Sequence, residues 1–327
     1  MNISKRERFW FFWERFGIVV FLVVTLAVFA ILTKGVVLNL DNVLTVVSRS
    51  AQVGIAACGM TFAICAGGFD LSVSSILGLS TCVFAANLAN IGLIPATILT
   101  LTVGALCGLL NGLVITKLKI QTFVATLSMG MIIKGAALLY TKGSKQLISR
   151  DKNPEIKVFS QSITIGSLTV QLVPILMLIA VAVVGYLVYK YTRFGVYSRS
   201  IGSFEPAART SNIPVDRTLI IIFIVTGVTT SIAGLIRTSQ LIQGAATLGD
   251  GFALEVITAT ILGGTALSGG KGNIFGSAIG AILLALVGNG LNILGQKDEI
   301  QRLAIGLILI VALMICGIRE LTLEAKK

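Results

Sequence analysis

Leu172-Val-Pro-Ile-Leu-Met-Leu-Ile-Ala-Val-Ala-Val-Val-Gly-Tyr-Leu-Val-Tyr-Lys190-Tyr191 is a run of twenty residues with no charge before Lys190. Coiled as a helix it would be about 30 Å long, the thickness of a bilayer's hydrocarbon layer. The run reads as a membrane span. Working outward, comparable apolar stretches occupy residues 16–33, 43–66, 72–90, 93–116, 122–141, 217–237, 253–268, 274–294 and 300–318. Together they predict about ten transmembrane helices. Lipid offers no hydrogen bonds, so each span must satisfy its own backbone, and the expected fold is all-α. The whole chain, 1–327, reads as one transmembrane domain. It has a short N-terminal segment (1–15), a long loop at 142–171 and a second loop at 192–216.

Composition agrees. The chain has 327 residues, of which 55% are hydrophobic and 12% charged, and its mean hydropathy is +0.94. A soluble domain carries roughly 25% charged residues. Half that value excludes an ordinary soluble enzyme or a nucleic-acid-binding domain. There is no histidine, which removes the commonest general base, metal ligand and pH switch. The five cysteines, Cys58, Cys65, Cys82, Cys107 and Cys316, lie in apolar runs without a C-x-x-C pair. They read as small buried hydrophobes and indicate neither a disulfide framework nor a metal site.

The net charge of +12 reads as an orientation signal. With ten spans and the N-terminus inside, the inner segments hold fifteen Lys and Arg residues and the outer segments nine, Arg237 among the nine. Basic loops stay in the cytoplasm, so both termini are expected there. The N-terminal segment is basic and aromatic, with Lys5, Arg6, Arg8 and Arg15 around Phe9 to Trp13. It reads as an interfacial anchor ahead of a retained first span, since a signal peptide would have a shorter apolar region.

Glycines recur every four residues at Gly104, Gly108 and Gly112, and again at Gly272, Gly276 and Gly280. Small residues at that spacing let helices approach closely. A faint internal echo relates residues 67–72 to 263–268, and 110–113 to 288–291. A duplicated half is one explanation, as transporters are often built that way.

Few polar residues stand inside the apolar runs. Asp70 is the one acid with long apolar runs on both sides, and Gly67-Gly68 before it with Leu71-Ser72 after it reads as a helix break and restart. Asp70 or Ser72 would cap the new helix. Either this is a plain cap at the membrane edge, or a broken helix lining a solute path or gate. Arg49, beside Gln52, and Lys134 read as snorkelling side chains or partners of a loop acid. Asn111, Gln240, Gln243, Asn289 and Asn292 offer paired donors and acceptors without charge. That suits a hydroxylated neutral solute, and equally suits bonds between helices. Asp70, Ser72, Asn111, Asn289 and Asn292 are the candidate path or gate residues.

The loop 192–216 predicts a separate short helix over 203–212. Ser203 is a fitting N-cap, Glu205 suits the first turn and Pro206 is tolerated there. Asn212 can close the helix, and Pro214 prevents it continuing. Phe204, Ala207 and Ala208 fall on one side, with Glu205 and Arg209 nearby. A helix this short is unstable alone and must dock, against the protein's own base or on a partner.

Four stretches together resemble the membrane permeases of ribose-type, simple-sugar ABC importers, within the wider group that includes branched-chain amino-acid permeases. They are Gly54 to Thr61 with Gly67 to Val73, the loop from Arg193 to Ile213, Leu262 to Gly272, and Gly288 to Gly295. The chain departs from the family pattern at Phe69, Ser74, Ser203, Phe204 and Asn212. The resemblance implies a permease dimer in the bacterial inner membrane, of two copies or of this chain with a related one. It further implies a sugar-binding protein outside and a cytoplasmic ATPase subunit docking on Ser203, Phe204, Glu205, Ala207, Ala208 and Arg209. This chain would bind no cofactor or metal, hold no catalytic residue and contact no nucleic acid, only lipid and its protein partners. It carries no Walker-type Gly-x-x-x-x-Gly-Lys-Ser/Thr, so ATP would be used by the partner. An amino acid is the alternative cargo. An ion-coupled carrier would need more intramembrane acids or histidines than Asp70 alone, and an intramembrane enzyme would need a nucleophile–base pair or metal ligands.

Overall fold

A computed structural model describes residues 5–165 and 168–324, with side chains at 17–164, 169–297 and 299–314. The anchor side chains between Lys5 and Arg15, the thiol of Cys316, and Lys326 and Lys327 lie outside the described residues. The chain is mostly helical. Helices α1 (Lys5–Leu32), α2 (Leu40–Cys65), α3 (Val73–Ile91), α4 (Leu93–Lys117) and α5 (Thr122–Thr141) follow one another through short turns. The loop 142–171 holds three strands, β1 (Gln146–Leu147), β2 (Ser162–Ile165) and β3 (Leu168–Gln171), the last two forming a hairpin. Then come α6 (Leu172–Tyr191), α7 (Arg193–Ser203), α8 (Glu205–Thr210) and α9 (Val215–Leu241). After α9 the chain forms β4 (Gln243–Gly244), which pairs with β1, and a 3₁₀ turn, Ala246–Gly249. Helices α10 (Phe252–Leu262), α11 (Ile274–Ile293) and α12 (Asp298–Glu324) complete it.

Among the described residues, seven helices are long and apolar enough to cross a membrane: α2, α3, α4, α5, α6, α9 and α11. The apolar part of α1, Gly17–Leu32, is shorter. The expected span at 253–268 is corrected. Its helix, α10, has 11 residues, about 17 Å at 1.5 Å each, too short to cross alone. Gly263 and Gly264 end it, Gly264 taking a φ of +90° that only glycine adopts freely. The return from α9 to α11 is a broken path of strand, 3₁₀ turn, α10 and the loop 263–273. Such backbone is tolerated at membrane depth where protein covers it, and Ala246, Gly249, Phe252 and Ala253 are buried. The expected end of a span at Arg237 is also corrected: α9 runs on to Leu241 and takes Arg237 into the helix.

The centre of the bundle is α2 and α9. Helix α4 lies along α9, and α11 lies along α2; α3 packs on α4, and α10 on α11. Backbone approach makes the first pairing possible. A β-carbon at Gly104 would strike Ser231, one at Gly108 the carbonyl of Phe223, and one at Gly112 the backbone of Ile220. The second stripe works likewise, Gly276 against Gly263 and Gly280 against Ala259. In this arrangement α2–α4 and α9–α11 occupy matching places, with Asn111 on α4 and Asn289 on α11. The echo between 67–72 and 263–268 pairs unlike places, the ends of α2 and α10. What the two share is a local stop. Gly68 donates to the carbonyl of Ala63 (2.9 Å) and Thr265 to that of Thr260 (3.3 Å), the same six-to-one bond closing each helix.

Candidate functional site

The sequence's candidate path residues divide. Asp70, Ser72 and Asn111 come together, all fully buried. Gly67 and Gly68 stop α2, the chain crosses seven residues, and α3 restarts at Val73. Asp70 Oδ1 accepts from the Ser72 backbone N–H (3.0 Å) and the Ser72 hydroxyl (2.6 Å). Asn111, reaching over from α4, donates to the Ser72 hydroxyl at 2.7 Å and to Asp70 Oδ1 at 3.4 Å. Thr126 of α5 closes the third side, its hydroxyl donating to the Phe69 carbonyl (3.1 Å) and accepting from Leu71 N–H (3.2 Å). The expected cap is corrected: Ser72 stands at the N-cap of α3 with no side-chain cap bond, and buried Asp70 instead holds the Ser72 N–H and hydroxyl. Among the described residues no cation pairs with it. Asp70 Oδ2 and Asn111 Oδ1 are buried without a partner, which is a costly state.

Asn289 and Asn292 do not join this cluster. Asn289 is buried on α11 with its Oδ1 unpartnered, and Asn292, one turn on, is exposed. Gln243 belongs to β4. Lys134 pairs with Asp250, just ahead of α10, at 2.6 Å, the loop acid its position calls for. Arg49 is exposed.

A second polar cluster lies about 20 Å from Cys65 along α2, counting 1.5 Å per residue back to Gln52. Sequence reading met Gln52 only as a neighbour of Arg49, and placed Arg237 in an outer segment. Arg237 Nη1 donates to Gln52 Oε1 at 2.9 Å. Gln52 in turn donates to Gln240 Oε1, and Gln240 to Gln171 Oε1 at 2.8 Å. The Ser48 hydroxyl reaches the same Gln171 oxygen at 3.3 Å. The signal was present as glutamines one helical turn or so from an arginine, but the partners lie 69 to 188 residues apart in the chain, which no local pattern reveals.

The loop 192–216 forms two helices, α7 and α8, where one was expected. Ser203 is corrected from N-cap to the last residue of α7, its hydroxyl donating to the Arg199 carbonyl at 2.9 Å. Phe204, in extended backbone, precedes α8, and Pro206 sits in the first turn. Asn212 does close the segment, with φ at +59°. Ala208 turns inward, 3% exposed, whereas Phe204 is 63% exposed. Glu205, Pro206, Ala207, Arg209 and Thr210 are exposed too, leaving Ala208 as the buried residue of α8. Arg209 binds Glu205 and Asp216, each at 2.8 Å, tying α8 to the start of α9. These two carboxylates, Asp216 foremost, raise the guanidinium's pKa further above its ordinary value.

Three backbones converge at the end of α7. Gly202, near the end of α7, lies against the Cys65 carbonyl at the end of α2, and Gly270 N–H donates to that same carbonyl at 2.8 Å. Gly269 also presses on Gly202, with no room for a β-carbon between them. Helix α7 is thus seated directly on the end of α2 and on the glycine-rich loop.

The family described as "Branched-chain amino acid transport system / permease component" matches residues 42–313. The chain is similar to the ribose import permease protein RbsC of Escherichia coli K12, with 32% identity covering 85% of this chain and 86% of that protein. The Bacillus subtilis 168 ribose import permease is 35% identical, covering 84% of each. The L-arabinose transport system permease AraH of Escherichia coli K12 is 33% identical, covering 92% of this chain and 90% of that one. No solved structure matches.

Proposed function

Since the chain belongs to the family of permease components of branched-chain amino acid transport systems, we propose that it is the membrane permease of an ATP-driven importer for a simple sugar. The cargo class is a ribose-like pentose or a related sugar, delivered by a binding protein. The observation that carries this reading is the similarity to ribose and arabinose import permeases over 84–92% of the chain. The described cysteines Cys58, Cys65, Cys82 and Cys107 are buried free thiols.

In this reading the chain crosses the bacterial inner membrane ten times, with both termini in the cytoplasm. The eighth crossing is the broken path from Gln243 to Leu262. Two permeases, identical or related, form the path. A separate ATPase subunit binds the exposed face of Phe204, Glu205 and Ala207 and uses the ATP; this chain binds no cofactor. A sugar-binding protein docks at the opposite end, near the loop 142–171. Closing of the ATPase pushes α7 and α8, and the glycine junction carries that push into α2. Asp70, Ser72 and Asn111, at the break between α2 and α3, are the inner gate.

The test is reconstitution in vesicles with the ATPase and binding protein. Uptake of labelled ribose or arabinose that needs ATP and both partners supports the reading. Uphill uptake by this chain alone, or uptake of leucine in preference to either sugar, overturns it.

A further inference from the structure

We propose that Gln52, Arg237 and Gln240 form a binding site for sugar hydroxyls at the outer end of the path, shut in this conformation by their bonds to one another. This rests on the sugar-importer reading above and gives that cargo its first contacts inside the permease.

Three features carry it. First, the site is built from separate elements. Gln52 comes from α2 and is 4% exposed, Arg237 and Gln240 come from the last turns of α9, and Gln171 ends the hairpin and begins α6. Any parting of α2 from α9 must break the Arg237–Gln52 and Gln52–Gln240 bonds. Second, the groups are donor–acceptor amides around one guanidinium. Among the described residues no carboxylate lies within ion-pair distance of Arg237. Glu255 of α10 attracts Arg237 from beyond contact distance, while the direct partner of the guanidinium is a neutral amide, Gln52. Third, Arg237 Nε is buried and has no partner. One donor of the fork is left over for something the closed state does not contain.

The chemistry of the ligand follows. A hydroxyl both donates and accepts, so a sugar replaces each amide–amide bond one for one, and its ring oxygen or another hydroxyl takes the spare N–H. An anion would seek the guanidinium alone and leave the amides idle. A neutral solute with adjacent hydroxyls fits all three side chains. On the orientation proposed above, this end faces the binding protein. The cluster of Asp70, Ser72 and Asn111 lies at the other end of α2, so the two clusters are successive polar stations.

The experiment uses the complete importer in vesicles. Gln240→Cys is labelled from the outer side with a membrane-impermeant maleimide during turnover, with ribose, arabinose or leucine present. Sugar is expected to slow labelling about tenfold relative to leucine, because an occupied site excludes the reagent. In parallel, Arg237→Lys keeps the charge but loses the fork, and is expected to lower sugar moved per ATP hydrolysed about tenfold. Labelling indifferent to sugar overturns the site. So does wild-type transport per ATP in Arg237→Lys, which also decides the matter if Gln240→Cys does not fold. In either case, ATP-driven sugar uptake by the wild-type importer leaves the proposed function standing. Absence of sugar uptake by the wild type removes both.

Discussion

Arg199 and Tyr189 are joined twice. Arg199 Nη1 donates to the Tyr189 carbonyl at 2.8 Å, and the guanidinium carbon lies 4.7 Å from the centre of the Tyr189 ring. The first bond satisfies a carbonyl at the end of α6, and the second contact adds a cation–π attraction. Helix α7 is thereby fixed to α6. The tyrosine extends the chain of contact further, its hydroxyl accepting from Gly272 N–H at 2.7 Å and lying 3.5 Å from Cys65 Sγ. One side chain links the loop helices, the end of α2 and the glycine-rich loop.

Tyr189→Phe should keep the ring and its stacking while leaving Gly272 N–H without an acceptor. Gly272 is half-buried, so the unpaired donor costs about 1 kcal/mol, the low end for such groups. The expected result is a lower melting temperature in detergent, and fewer sugars moved per ATP in the reconstituted importer. An unchanged melting temperature and unchanged stoichiometry would show that the hydroxyl is dispensable.

Asp70→Ala should impair uptake more than Asp151→Ala. The first removes the acceptor that holds Ser72 and Asn111, which are fully buried, at about 1.5–3 kcal/mol for hydrogen bonds to a charged group. The second changes an exposed loop residue. Because no cation pairs with Asp70 among the described residues, Asp70→Asn should lie between them, retaining an acceptor without the charge. Initial uptake rates in whole cells, normalised to permease abundance, check the ranking; equal rates for Asp70→Ala and Asp151→Ala would remove Asp70 from the gate.

Phe204→Ala should leave stability within about 0.5 kcal/mol, as for most surface changes, yet weaken capture of the ATPase subunit. Glu205→Lys with Arg209→Glu should uncouple more strongly. The swap preserves the pairing between 205 and 209 but sets the new carboxylate at 209 against Asp216. Co-purification of the ATPase, and ATP hydrolysis stimulated by sugar-loaded binding protein, are the measurements. Normal stimulation in the double variant would refute docking at α8.

Gly108→Leu should prevent α4 from seating on α9, because the added side chain meets the Phe223 carbonyl and the Ile224 backbone. Backbone cannot yield as a rotamer can, so loss of the folded protein is expected rather than a modest decline. Size-exclusion profiles of detergent-solubilised protein compare it with Gly135→Leu, where no atom lies within 4 Å of the added β-carbon and no change is expected.

Much of the fold was legible from apolar runs alone, because a span must be long and greasy whatever its neighbours. The glycine stripes told which faces meet. What misled was hydropathy at 253–268. Residues such as Thr258 and Thr260 are buried by other helices rather than by lipid, so an apolar run marked burial and not length. The site was half legible. Asp70 and Ser72 stand out because two glycines and an acid interrupt an apolar run. The link from Ser72 to Asn111 spans 39 residues, and that from Gln52 to Arg237 spans 185; only packing brings such pairs together. Ser203 misled for a different reason. A serine suits a cap wherever a helix begins, but here the preceding helix runs up to it and Phe204 takes the place before α8.

The junction of Gly202, Cys65 and Gly270 is made of main chain. Side-chain contacts have slack, since a rotamer can turn and absorb a small displacement. Here there is none to turn, so any shift of the loop helices must move the end of α2 at once. In the proposed mechanism the drive end is therefore a stiff knuckle, and the amide cluster farther along the same helix is where chemistry can vary. On that proposal, cargo preference drifts through substitutions there without the linkage being rebuilt.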